Sequence, residues 1–230
     1  MLLLLDKEDI GIRKKEMVTI NNQKNDSLKV LKSNWVINVS LFLISAIVGI
    51  LLYANFFMNL LPRFFANMEN IEKNILAVII IVLSVYVLLK IIFKLDKKVD
   101  RYLLFSLYIL VLLLGLLRPD QQYFGETGLY AWNPVGFLSD IKGDTASLIV
   151  MVINLIIFMP MYFLLTYTNI LKTFTARLLA FEVFVFLIEF FQAQFKVGLF
   201  DLADIFLYNI GFFTGYIVSI PILGVLKREI

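Results

Sequence analysis

Leu178 to Asp204 reads LLAFEVFVFLIEFFQAQFKVGLFDLAD. Its first part, Leu178 to Phe195, would pass for a membrane-spanning helix but for Glu182 and Glu189. An ionisable side chain at that depth is costly, and such residues mark places where a membrane protein binds or moves something. Whether this stretch is a span decides the fold, and the rest of the chain supplies the context.

Of the 230 residues, 60% are hydrophobic and 17% charged, against about half and a quarter in soluble domains. Uncharged runs extend over Ser33 to Pro62, Asn74 to Leu89, Tyr102 to Leu117, Thr145 to Leu171 and Ile205 to Leu226. All but the two shortest exceed the roughly 18 residues needed to cross a bilayer. The expectation is an all-α polytopic membrane protein of about six transmembrane helices, near 35–61, 71–93, 101–118, 145–168, 174–195 and 202–226. The third span holds 16 residues between Arg101 and Arg118, or about 24 Å of helix, so both arginines are expected to snorkel toward opposite interfaces.

Cysteine and histidine are absent. That excludes disulfides, thiolate nucleophiles, imidazole bases and the usual zinc sites. No P-loop or serine elbow is present, and nothing points to nucleic acid. The opening MLLLLDKED lacks the pattern of a signal peptide, so the first span is expected to act as its own targeting signal. Residues 1–34 are polar and read as a mobile cytoplasmic tail. Counted over alternate segments, Lys and Arg total sixteen on the side of the N-terminus and five on the other. The positive-inside rule then places both termini in the cytoplasm and the aromatic, Gly- and Pro-containing loop 119–144 outside.

This topology orders the polar residues by depth. Glu189 and Gln192, three apart, share one face of span five near its outer end. Asp201 and Asp204 open span six, where they suit either a site or the cap of a helix. Asn154 lies about two turns below the outer surface in span four, above Pro160. Arg118 ends span three, Asn133 sits in the external loop, and Lys196 follows span five. Taken singly, each has a packing, capping or anchoring explanation; together they converge on the outer third of the membrane. Glu189 is the residue hardest to treat as structural, and Glu182 reads as a packing residue or part of a relay. Gly211 and Gly215 in GFFTG suit close helix approach in lipid.

Three stretches resemble the VanZ-like family of bacterial membrane proteins: NLIIFMP at Asn154 to Pro160, EFFQ at Glu189 to Gln192, and DLADIFLYNIGFFTG at Asp201 to Gly215. Arg118 and Asn133 are weaker shared features. The likeness covers about residues 103 to 220, which divides the chain into the tail 1–34, two N-terminal transmembrane helices in 35–100, and a VanZ-like four-helix membrane domain in 101–230. Where the family usually has asparagine, this chain has Tyr208, with Asn209 next to it; a basic residue common in the family is Gly198 here, with Lys196 nearby. The resemblance implies a multi-pass protein of the bacterial plasma membrane with a role in the cell envelope. The best-known members of the family are associated with reduced susceptibility to teicoplanin-type lipoglycopeptides.

Two functions remain open at this stage. One is an outward-facing polar pocket for a lipid-linked or amphiphilic envelope molecule, with a membrane lipid, a lipid-linked envelope precursor or a lipoglycopeptide as partner. Arg118 and Lys196 would meet a phosphate, while Glu189, Asn154, Gln192, Asn133, Asp201 and Asn209 would hydrogen-bond a head group. The other is an intramembrane enzyme of lipid or lipid-linked glycan metabolism. There Glu189 and Asp204 would be catalytic, and Glu189, Asp201 and Asp204 would hold a divalent cation or Glu189 would act as general acid or base.

Overall fold

The computed structural model describes residues 35–63, 70–117, 130–140 and 145–227. The polar tail, Arg118 and the first part of the long loop lie outside the described residues. Among those described, eight helices and two short strands follow in order: α1 (Trp35–Leu60), α2 (Ile71–Ile92), α3 (Lys98–Leu116), β1 (Tyr130–Ala131), α4 (Phe137–Asp140), α5 (Thr145–Ile157), α6 (Met159–Tyr167), α7 (Phe174–Gln194), β2 (Phe200–Asp201) and α8 (Leu202–Lys227). Five helical stretches are long and apolar enough to cross a membrane: α1, α2, α3, α5 with α6, and α8. α7 has 21 residues, about 31 Å of helix. It differs from the five in carrying Arg177, Glu182 and Glu189.

The helix ends follow local chemistry. At the start of α7 the Thr173 hydroxyl accepts the Ala176 N–H at 3.2 Å, a side-chain N-cap. At its end, Lys196 takes a positive φ of 56°, and the N–H groups of Lys196 and Val197 return to the carbonyls of Ala193 and Gln192, a Schellman closure. Lys94 after α2 and Asn169 after α6 also adopt positive φ. Near its end α1 loosens into a π-helical turn at Tyr53–Phe57. There the Tyr53 hydroxyl reaches the Asn74 side chain of α2.

Two expected spans change in detail. The third begins at Lys98 rather than Arg101, because the Asp100 carboxylate accepts the Lys97 N–H at 2.7 Å and caps the added turn. Arg101 is therefore not a free interfacial anchor; it donates to Asp96 at 2.7 Å. The fourth is not one continuous helix but breaks at Phe158 between α5 and α6. Pro160 has no N–H to return to the preceding turn, Met161 N–H bonds Phe158 O instead, and the Tyr108 hydroxyl donates to Ile157 O at 2.7 Å.

α8 is the centre of the bundle, with α5 and α6 along its length. The approach is as close as backbones allow: a Cβ on Gly211 would fall 2.1 Å from Leu155 O, and one on Gly215 would fall 2.0 Å from Met159 O. Small residues serve this way in lipid, where van der Waals packing rather than hydrophobicity joins helices. Around the break, Phe158, Phe181, Tyr208 and Phe212 form the core, with the Phe181 and Phe212 rings stacked 4.3 Å apart and Phe158 4.4 Å from Tyr208. β1 returns from the long loop and pairs in parallel with β2, setting Tyr130 against Phe200 and Ala131 against Asp201.

Candidate functional site

Glu189 lies on the face of α7 that meets the β2–α8 junction and is wholly buried, at 0% exposure. One carboxyl oxygen, Oε2, accepts the Asp201 N–H at 3.0 Å. The other, Oε1, has no hydrogen-bond partner among the described residues. The Asp204 carboxylate and the Tyr208 hydroxyl are its electrostatic neighbours. A buried polar atom without a partner is uncommon in a native protein and asks for an explanation.

The surrounding groups are placed by α8 and α5. Asp201 accepts the Ala203 N–H at 2.8 Å, so its side chain caps α8, as its sequence position allowed. Asp204, one turn on, accepts the Asn154 amide of α5 at 2.7 Å. Tyr208 follows a turn deeper, buried against Phe158. Asn154, Glu189, Asp201 and Asp204 are thus brought together. The strand pair lies over this end: Trp132 stacks on Tyr130 and both rings contact Phe200.

Other candidates lead elsewhere. Gln192 does not share Glu189's surroundings. Three residues rotate an α-helix by about 300°, and that offset turns Gln192 to α3, where its amide donates to Leu116 O at 2.8 Å and satisfies a carbonyl at the helix end. Asn133 is exposed and accepts the Val135 N–H at 3.2 Å in its own turn. The exposed Lys196 contributes its backbone to the end of α7. Asn209 sits deeper, 3.5 Å from Glu182 and 3.1 Å from Ile205 O. Arg118 falls outside the described residues. Among those described, no three His, Cys, Asp or Glu side chains are grouped to hold a metal ion.

Two features escaped the sequence reading. Tyr208 stood in the sequence only as a departure from the resembled family's asparagine, yet four residues beyond Asp204 it falls on the same helix face and meets Glu189. At the opposite end of the bundle, Lys90 and Asp100 form an ion pair at 2.6 Å with both side chains nearly buried. Beside it Asp96 accepts both Arg101 at 2.7 Å and the Tyr167 hydroxyl at 2.9 Å. The spacing of Asp96 and Asp100 among five basic residues was the available signal. No family model, curated protein or solved structure matches the chain.

Proposed function

We propose that this chain is a VanZ-like protein of the bacterial plasma membrane, crossing it six times with both termini in the cytoplasm, that binds the polar head group of a lipid-linked or amphiphilic envelope molecule at its outer end. The observation that carries this reading is Glu189: a carboxyl held in place by the Asp201 N–H, with a second oxygen that makes no hydrogen bond of ordinary geometry among the described residues and has the Tyr208 hydroxyl beside it. A ligand hydroxyl or amine would satisfy that oxygen. Asn154, Asp201 and Asp204 supply further polar atoms, and the aromatic clasp of Tyr130, Trp132 and Phe200 would cover a head group whose chains lie along α5 to α8. In this reading α7 is the sixth span, supported by its carboxylates turning to Asp201 and Asn209.

Purification in native lipid followed by mass spectrometry tests this reading. A co-purifying envelope lipid that is lost in Glu189→Ala supports it; the same lipid profile in both proteins overturns it. A reporter fused after Lys142 should read as external, and expression in a susceptible bacterium should lower sensitivity to teicoplanin.

The second reading, an intramembrane enzyme of lipid or lipid-linked glycan metabolism, draws on the nearness of Asp204 and Tyr208 to the same carboxyl. An unpartnered carboxyl oxygen next to a second carboxyl can give or take a proton. Glu189→Gln keeps the hydrogen bonding of a binding site and removes a general acid or base. Turnover of a lipid-linked substrate by the wild type, abolished in this variant, would select the enzyme.

A further inference from the structure

The end of the bundle away from Glu189 carries a second organised polar cluster, at the turn between α2 and α3. Both acids of this turn are used inside it. Asp100 takes the Lys90 ammonium at 2.6 Å and the Lys97 N–H at 2.7 Å. Asp96 takes Arg101 and Tyr167, and the Arg101 guanidinium lies over the Tyr167 ring, 4.6 Å from its centre. The neighbouring turn between α6 and α7 is fastened in a similar way, with Arg177 donating to Leu171 O at 3.0 Å and Lys172 O at 3.3 Å.

Among the described residues these acids are turned inward, and the outer face of the turn carries exposed lysines. Lys94, Lys97 and Lys98 are exposed on one turn and Lys172 on the next. Between the lysines of the first turn stand the exposed apolar side chains Phe93, Leu95 and Val99. α2 and α3 are each long and apolar enough to cross a membrane, so the turn that joins them lies at a membrane interface. We propose that this turn, together with Lys172 of the turn that Tyr167 ties to it through Asp96, is a binding site for the phosphate of an anionic phospholipid, the lysines meeting the head group and Phe93, Leu95 and Val99 its acyl chains. Charge complementarity selects an anionic partner. The apolar residues interleaved with the lysines select a lipid over a soluble phosphate, which would leave them in water. The proposal does not depend on which leaflet the turn faces or on the outer site.

The full-length protein in detergent micelles, titrated with phosphatidylglycerol and with phosphatidylcholine and read by native mass spectrometry, provides the test. Phosphatidylglycerol should bind more tightly. The triple variant Lys94→Gln, Lys97→Gln, Lys98→Gln should lose that affinity by about fivefold per lysine removed, with phosphatidylcholine binding and melting temperature unchanged. Equal affinity for the two lipids, or a triple variant that keeps the preference, overturns the proposal. So does displacement of phosphatidylglycerol by glycerol 1-phosphate at matched concentration, which would make this a site for soluble phosphate. Should the triple variant fail to fold, Lys172→Gln and the salt response of the wild type decide. Raising salt from about 0.1 to about 1 M should weaken binding of the anionic lipid, and a preference unaffected by both salt and Lys172→Gln overturns the proposal.

Discussion

The Asn154 amide donates to Asp204 Oδ1 at 2.7 Å, joining α5 to α8 across fifty residues of sequence. Hydrogen bonds to charged acceptors contribute about 1.5 to 3 kcal/mol, so Asn154→Ala should destabilise the protein by about 2 kcal/mol. Asp204→Ala should cost at least as much, and the double variant should cost less than the two together. Thermal unfolding in detergent over this double-mutant cycle checks it; strict additivity would mean that the two side chains act independently.

Glu189→Ala removes the acceptor of the Asp201 N–H and leaves a void in a packed region, an expected loss of about 2 to 4 kcal/mol. Glu189→Gln retains an acceptor for that N–H and should melt close to the wild type. If Gln and Ala melt alike, the hydrogen bond from Asp201 is not what the carboxyl contributes.

Gly211 and Gly215 face the carbonyls of Leu155 and Met159 at distances that no methyl group can occupy. Gly211→Ala or Gly215→Ala must therefore separate α8 from α5 and α6, at an expected cost of about 3 kcal/mol. A Cβ on Gly224, by contrast, would meet nothing within 4 Å, and Gly224→Ala should be neutral or raise stability by about 1 kcal/mol through helix propensity. Melting temperatures of the three single variants make the comparison; similar values would show that the close approach is not maintained.

Lys90 and Asp100 are paired with side-chain exposures of 7% and 12%. Removing one partner strands a buried charge, and Asp100→Ala should cost about 3 to 5 kcal/mol. Replacing both with apolar residues of similar size, Lys90→Met with Asp100→Leu, should recover most of that loss. A double variant as unstable as Asp100→Ala would locate the cost in the lost cap on Lys97 rather than in the ion pair.

The placement of five of the six expected spans was legible in the chain because a bilayer imposes a local rule, that a helix be apolar and long enough, and each of the five satisfies it without reference to the others; α7, with three charged residues, does not. The GFFTG spacing was legible for a related reason, since residues four apart lie on one face whatever they meet. The helical break at Phe158 was signalled by Pro160. Its stabilisation by the Tyr108 hydroxyl was not, since that bond comes from another helix, forty-nine residues away in sequence.

The site divides along the same line. Glu189, Asn154, Asp201 and Asp204 stood out in the sequence because polar groups in apolar runs are conspicuous one at a time. Which of them meet depends on the rotation of each helix about its axis, and that is set by packing: Gly211 and Gly215 against α5 and α6, and Phe181 against Phe212. This rotation turned Gln192 away to Leu116 O, brought Tyr208 to Glu189, and joined Asp100 to the buried Lys90 while Lys97 and Lys98 stayed exposed. A periodic pattern marks the faces of a helix, but only the tertiary fold decides which neighbour each face receives.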